Sequence, residues 1–301
     1  MRVAAVDIGS YSVRLTVAEV KDGSIRIIRE MGRITALAKD LKETGRLRRD
    51  RMEETLGVLE EYRREAERLR VDKVLAVGTE ALRRAENADE FLKAVRERTG
   101  IQVEIITPEE EGRLAFLAVA YSLRPGGYFL VVDQGGGSTE FVFGEGLKPD
   151  RVISLPAGIV NLTERFLRHD PPLEEEVLKL RDFVRESVGP LKRGVDEIVG
   201  LGGTITTLSA LVHGVYPYDP SKVHGSTLTL GEISRWTRVL ASLPSRERAR
   251  RYPQIEDRRA EVILAGAVMF EEVLRVFGKD RIRVSDWGVK QGLIVRIILD
   301  R

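Results

Sequence analysis

The chain carries one short pattern twice, first at Asp7–Ser12, which reads DIGSYS, and again at Asp133–Ser138, which reads DQGGGS. An apolar run precedes each aspartate, as expected for a buried strand, and residues of strand-like composition follow each turn. Each copy therefore predicts a strand, a tight turn and a second strand. Because the two copies lie in the same order of elements, they predict two similar α/β domains.

The strongest break in the middle of the chain is Arg124-Pro125-Gly126-Gly127, where the pattern restarts. We therefore expect one domain over residues 1–124 and a second over residues 125–301, with a final helix at about 291–301 that could pack back on the first domain. Each domain is expected to open with three strands. Apolar residues at helical spacing predict further helices, at Met52–Leu69, Glu90–Arg98, about Glu109–Tyr121 and about Arg258–Phe277.

Composition excludes several kinds of site. The 301 residues include no cysteine, which rules out disulfides, iron–sulfur clusters and a cysteine nucleophile. The three histidines, His169, His213 and His224, are too scattered to favour an all-histidine metal site. The net charge of +2 argues against a nucleic-acid or membrane coat. With no signal peptide and no bilayer-length apolar run, we expect a cytoplasmic protein without DNA or membrane partners. The scarcity of Asn and Gln resembles the composition of thermophile proteins.

The repeated turn suits phosphate chemistry. Glycines let the backbone approach a ligand closely, and successive N–H groups in such a turn form an anion-binding nest. An aspartate at the strand end offers oxygen ligands to a hard cation. Two turns of this kind could hold one phosphate chain from both sides. A P-loop is excluded because its lysine is missing, and a Rossmann fingerprint is excluded because a strand rather than a helix follows the glycines.

These residues resemble the exopolyphosphatase/guanosine pentaphosphate phosphohydrolase (Ppx/GppA) family over almost the whole chain. Asp7–Arg14 resembles its first phosphate loop and Asp133–Glu140 its second. Further matching segments are Thr79–Ala85, Glu109–Arg113, Leu201–Thr204, Arg259–Ile263 and Ser285–Gly292.

The resemblance implies a fold and an activity. The fold class is α/β, a duplicated actin-like (ribonuclease H-like) ATPase fold of two domains with the active site in the interdomain cleft. The implied reaction is hydrolysis of a terminal phosphoanhydride with Mg²⁺ or another divalent cation, on inorganic polyphosphate or guanosine pentaphosphate. A homodimer is the oligomer that the resemblance favours.

The resemblance also implies roles for single residues. Glu111 matches the family glutamate that precedes Gly-Arg and is assigned as general base for the attacking water. Its alternative role is that of an acid in the first turn of a helix, where it complements the helix dipole. Arg83 matches an arginine that faces the phosphate chain, and its planar fork suits phosphate oxygens.

The remaining assignments concern metal and phosphate. The candidate metal ligands are Asp7, Asp133 and Glu140, of which Asp133 and Glu140 are also placed with the catalytic groups. The candidate phosphate-binding residues are Gly9, Ser10, Tyr11, Ser12, Gly135, Gly136, Gly137 and Ser138. The loop Gly202, Gly203 and Thr204 is expected on the nucleoside side, with a simple strand-to-helix turn as the alternative.

Two departures from the family pattern leave the function partly open. Lys290-Gln291 stands where many members have Arg-Glu, so a charged contact is expected to differ. The chain ends soon after this segment, where long members continue with a helical extension, which favours the short form. The alternatives are a polyphosphate:ADP phosphotransferase of the same superfamily and a sensor that binds guanosine tetra- or pentaphosphate without turnover. Sequence does not rank polyphosphate against guanosine pentaphosphate.

Overall fold

A computed structural model describes residues 1–300 and shows two mixed sheets with helices around them. The strands are β1 Arg2–Ile8, β2 Ser12–Lys21, β3 Ser24–Ile34, β4 Lys73–Gly78, β5 Val103–Ile105, β6 Tyr128–Gln134, β7 Thr139–Glu145, β8 Lys148–Leu155, β9 Glu197–Leu201, β10 Thr227–Thr229 and β11 Arg281–Ser285. The helices are α1 Leu41–Thr44, α2 Arg49–Arg68, α3 Glu80–Arg84, α4 Ala88–Thr99, α5 Pro108–Leu123, α6 Ile159–Phe166, α7 Glu174–Val188, α8 Gly203–Val212, α9 Pro220–Val223, α10 Leu230–Ala241, α11 Ser245–Arg251, α12 Asp257–Phe277 and α13 Val289–Leu299.

The first sheet has the strand order β3-β2-β1-β4-β5. β1, β2 and β3 pair antiparallel, as the alternation of the sequence predicts, whereas β4 and β5 add in parallel. Val13, Leu15 and Val17 on β2 are fully buried, because their side chains alternate towards the core. The turn at Gly9–Tyr11 thus lies at the carboxyl end of β1, beside the carboxyl end of its parallel neighbour β4.

The second sheet has the order β10-β11-β9-β6-β7-β8 and repeats this plan. β6, β7 and β8 form the antiparallel meander, and β9 and β11 follow in parallel. The carboxyl ends of β6, β9 and β11 therefore meet at one edge, where the segments Gly135–Ser138, Gly202–Thr204 and Asp286–Gly288 begin. This edge collects three of the segments that the sequence singled out.

By its internal contacts the chain divides into two compact units. One is Met1–Ala118 together with the described residues from Val289 onward, and the other is Val119–Gly288. α13 therefore belongs to the first unit, where it packs on β1 and β2. Within residues 1–300, no helix combines the length and the apolar composition that a bilayer crossing requires.

The second unit is built around α12, whose side chains are buried on nearly every face. Two of them are carboxylates, Glu271 and Glu272, which are 2% and 1% exposed. Arg181 on α7 donates to Glu271 at 2.7 Å and to Glu272 at 2.8 Å. Burial tends to raise the pKa of Glu271, but hydrogen bonds from Arg181, Arg275 and Ser234 lower it to about 2 from its ordinary 4.5.

The ionised Glu271 should therefore stabilise the fold in a defined pH window. Since the folded-state pKa is depressed, the stabilisation is complete above about pH 4.5 and is lost as the pH falls towards 2. We expect Glu271→Gln to lower the free energy of unfolding at neutral pH by roughly 3 kcal/mol and to flatten its pH dependence in this window. Urea unfolding at several pH values measures both effects. Glu186→Gln, at an exposed position of α7, is the control, and an unchanged slope in Glu271→Gln would contradict the prediction.

Candidate active site

The two repeated turns are closed by the same backbone hydrogen bond. The N–H of Gly9 donates to Ser12 O at 3.0 Å, and the N–H of Gly135 donates to Ser138 O at 2.9 Å. In the second turn, the N–H groups of Gly136, Gly137 and Ser138 make no hydrogen bond within residues 1–300. Successive unpartnered N–H groups of this kind form the anion nest that the sequence predicts.

The carbonyl side of the second turn is held by the start of α6. The N–H groups of Gly158, Ile159 and Val160 donate to the carbonyls of Gly137, Gly135 and Gly136 at 3.1, 3.0 and 2.9 Å. Asn161 Nδ2 adds a bond to Gly137 O at 2.6 Å. With its carbonyls bound on one side, the turn directs its free N–H groups to the other.

The residue opposite the turn aspartate differs between the two copies. In the first unit Asp7 lies directly across the strands from Arg14, a residue of opposite charge. In the second unit the matching pair is Asp133 and Glu140, two carboxylates on one face. Directly opposed residues have Cβ atoms about 5 Å apart, so the two carboxylates are close enough to bind the same cation.

This pair fits a divalent cation. Glu140 is 1% exposed, and its Oε1 accepts from Ser154 Oγ at 2.8 Å, which fixes the direction of the carboxylate. Within residues 1–300 no three or more His, Asp or Glu side chains are grouped as a complete metal site. Mg²⁺ does not need one, because it is commonly bound by one or two carboxylates together with water and substrate phosphates.

Asp7 occupies a different environment from Asp133. Its Oδ1 is buried and has no hydrogen-bond partner within residues 1–300. Burial raises the pKa of this carboxyl, while the charges of Arg14 and Lys290 act in the opposite direction. The side chain of Arg14 makes no hydrogen bond or ion pair within the described chain, so its guanidinium is available to an anion.

Glu111 and Arg83 are brought together. Glu111 lies in the first turn of α5, is 9% exposed, and its Oε2 accepts from Arg83 Nη1 at 2.9 Å. The same Nη1 donates to Ile106 O at 2.8 Å. Arg83 thus holds the carboxylate in place, and its Nε and Nη2 make no hydrogen bond within residues 1–300.

The departure at Lys290-Gln291 has a structural counterpart on β3. Glu30 Oε1 accepts from Lys290 Nζ at 3.2 Å, from Gln291 Nε2 at 2.7 Å and from Thr16 Oγ1 at 3.0 Å. Gln291 is fully buried. A glutamate at 291 would place a second carboxylate against Glu30, so the amide is required by the carboxylate opposite it.

We therefore expect Gln291→Glu to destabilise the protein by about 1–3 kcal/mol, because a buried donor becomes a second acceptor of like charge. Urea unfolding at neutral pH measures the change. Gln102→Glu, at an exposed position, is the matched control and should stay within about 0.5 kcal/mol of the wild type. Equal stability of the two variants would contradict the role of Gln291.

The loop after β9 is tightly packed. Gly202 has φ +101°, and a Cβ there would lie 2.4 Å from Gln134 O, so the position requires glycine. A Cβ on Gly203 would lie 2.1 Å from Arg259 Nη1. The buried guanidinium of Arg259 thus lies against the first turn of α8, whose N-terminus is also positive.

A model of the Ppx/GppA phosphatase family matches residues 16–301. The chain belongs to this family. It is 58% identical to the Aquifex aeolicus family member, with a TM-score of 0.88 over 100% of this chain and 98% of that one. Exopolyphosphatase 2 of Mycobacterium tuberculosis is 34% identical over 98% of each chain. An exopolyphosphatase structure from Cytophaga hutchinsonii, 23% identical and with a TM-score of 0.93, shares the fold over 100% of this chain and 98% of its own.

The predicted family is confirmed by these matches, and the predicted α/β fold with a repeated sheet plan is confirmed by the sheet topology. In this Ppx/GppA protein the structure brings Asp133 and Glu140 together in one unit, and Arg83 and Glu111 in the other. It does not group Asp7 with two further carboxylates in the described chain. The assignment of Asp7 as a metal ligand stays a prediction, as do the other residue roles.

Sequence reasoning assigned no role to Gly158, Asn161, Arg14 or Arg259 of this Ppx/GppA protein. The sequence did indicate a helix start at Gly158 and Asn161, because Ala157-Gly158 precedes a helical pattern and glycine is a frequent N-cap. Arg14 and Arg259 lay inside the matched motifs, but only the cross-strand register and the packing of α12 give them positions. One expectation also changes in detail: the hydroxyl proton of Ser10 is already donated to Glu80 at 2.7 Å.

Proposed function

We propose that the protein is an exophosphatase that releases terminal phosphate from inorganic polyphosphate or converts guanosine pentaphosphate to the tetraphosphate. The observation that carries this is the second turn, where three free N–H groups lie beside the opposed carboxylates Asp133 and Glu140. Anion donors next to two opposed carboxylates suit a phosphate that shares a cation with the protein. The homologues named exopolyphosphatase support this substrate class.

The proposed steps follow from the side chains. The turn N–H groups bind the terminal phosphate oxygens and stabilise the charge that develops on them. Glu111, directed by Arg83 Nη1, accepts a proton from the attacking water. The remaining nitrogens of Arg83, and the guanidinium of Arg14, bind phosphate oxygens. A divalent cation held by Asp133 and Glu140, with Asp7 as a further candidate ligand, supplies charge neutralisation when bound.

The N-terminus of α8 and Arg259 support a nucleotide as one of the substrates. The guanidinium lies against Gly203 in the first turn of α8, in the same unit as the carboxylate pair, and a helix N-terminus is a site that binds anions. Guanosine pentaphosphate carries phosphates on both sides of its ribose and could use such a site. A long polyphosphate could use it as well, so both substrates belong in one test.

The test is phosphate release, with Mg²⁺, from polyphosphates of graded length and from guanosine pentaphosphate in parallel. Release of single phosphates from at least one of them is expected, and it should stop when the cation is chelated. Two results would overturn the proposal. Formation of ATP from polyphosphate and ADP would indicate a phosphotransferase, and tight binding of guanosine tetra- or pentaphosphate without release would indicate a sensor.

A further inference from the structure

The short helix α3 joins two parts of the first unit. Glu80, the first residue of α3, accepts a hydrogen bond at Oε2 from the hydroxyl of Ser10 at 2.7 Å. Arg83, the fourth residue of α3, donates from Nη1 to Glu111 Oε2 at 2.9 Å. The other oxygen of Glu80, Oε1, accepts from Arg84 Nη1 at 2.7 Å. Arg84 is partly exposed, whereas Ser10 is 5% exposed and Glu80 has only 13% of its side chain exposed.

The direction of the bond between Ser10 and Glu80 is fixed by chemistry. A carboxylate only accepts, and a serine hydroxyl has a single proton to give. That proton is committed to Glu80, so Ser10 Oγ presents only lone pairs to its surroundings. The backbone N–H of Ser10 makes no hydrogen bond within residues 1–300 and stays available as a donor.

The hydroxyl is therefore unsuited to bind a phosphate oxygen. An anionic oxygen beside Ser10 Oγ would meet lone pairs and, behind them, the charge of Glu80, which is unfavourable in a partly buried site. A water molecule fits, because it has protons to donate. The first turn thus offers two different contacts at one residue, an N–H for an anion and an oxygen for water.

We propose that Glu80 is a positioning residue that holds Ser10 Oγ as a hydrogen-bond acceptor for a water molecule of the reaction. That water is either the attacking water or one bound to the divalent cation, and the first turn does not bind phosphate through this hydroxyl. The assignment rests on the proposed function, since it concerns the water of that hydrolysis. It changes the role of Ser10 from a phosphate donor to a group that orients water.

The decisive variant is Glu80→Gln. Its amide has the shape of the carboxylate but can donate, so Ser10 Oγ can accept from it and turn its own proton outward. We expect kcat to fall ~10-fold or more, because the water is no longer oriented, and KM for polyphosphate to stay nearly unchanged, because the substrate contacts remain. Ser10→Ala should likewise lower kcat and leave KM nearly unchanged. The kcat of the double variant should be little lower than that of the less active single variant, because both substitutions act through one hydroxyl.

Two measurements accompany kcat and KM. A Mg²⁺ titration of activity separates the two waters: a higher Mg²⁺ requirement in both variants assigns the cation's water, and an unchanged one assigns the attacking water. Urea unfolding shows whether either variant is merely unstable. Glu86→Gln, the same substitution at an exposed residue just beyond α3, is the matched control and should retain wild-type kcat.

Three outcomes would overturn the assignment of Glu80. The first is a wild-type kcat in Glu80→Gln. The second is a rise in KM at constant kcat in Ser10→Ala, which would indicate a phosphate contact. The third is a kcat in the double variant that falls by the product of the two single-variant losses. Each of them leaves the proposed function intact, because the wild-type protein is active in that assay. Absence of phosphate release from the wild-type protein would refute the proposed function, and the role of Glu80 with it.

Discussion

Replacing Glu111 by glutamine should reduce phosphate release by ~10²–10⁴-fold, the range expected when a general base is lost. The amide keeps the size of the side chain, and its carbonyl oxygen can still accept from Arg83 Nη1 at the position that Oε2 holds. It cannot take a proton from water. The substitution therefore removes the proposed chemical step and leaves the phosphate contacts, so binding of polyphosphate should change little.

Phosphate release at saturating substrate and equilibrium binding of polyphosphate are the two measurements. The control is Glu109→Gln, which makes the same change two residues earlier in the same helical turn, at an exposed position. If Glu111 were only an acid suited to the helix dipole, the two variants would behave alike. Wild-type turnover in Glu111→Gln would contradict its assignment as the base.

Replacing Gly158 by alanine should damage the second turn. Its φ of −76° is one that alanine adopts readily, so backbone strain is not the issue. A Cβ at this position would lie 2.3 Å from Gly136 O and 2.4 Å from the carbonyl carbons of Gly136 and Gly137, which real contacts do not allow. The turn must move to make room, and the three bonds from α6 to its carbonyls must lengthen.

We expect an activity loss of ~10²-fold, because misplacing a phosphate-binding group by about 1 Å has an effect of that size. The cost in stability should be smaller, about 1–3 kcal/mol, typical of added volume in a packed region. Phosphate release and urea unfolding measure the two. Gly194→Ala in the same unit is the control, since a Cβ there meets nothing within 4 Å. Unchanged activity in Gly158→Ala would show that the turn does not bind substrate.

The repeat and most elements could be predicted from sequence because they depend on local patterns. The alternation of β2, the apolar run of β6 and the helical spacing of α2 and α12 need only neighbouring residues. β9 shows the limit of that approach. The ends of this strand, Glu197 and Leu201, are set by pairing with β6 and β11, which no pattern of neighbouring residues gives.

The contacts of the candidate site depend on distant residues and could not be read from local patterns. The register that puts Glu140 opposite Asp133 follows from strand pairing, and the bond from Glu80 to Ser10 joins residues far apart in the chain. Gln134 is the clearest case. Both ends of its buried amide lack partners within the described chain, and Thr204 Oγ1 beside it lacks one too. Local sequence patterns do not explain a buried amide at this position.

The contrast between Arg14 and Glu140 explains how two copies of one supersecondary unit come to differ in chemistry. A duplication by itself yields two equivalent anion cradles, each with an aspartate at the strand end. The charge at one facing strand position then differs in sign between the copies, because Asp7 faces an arginine and Asp133 faces a glutamate. The two copies therefore differ in charge at one position of the strand ladder as well as in the residues of the turn itself.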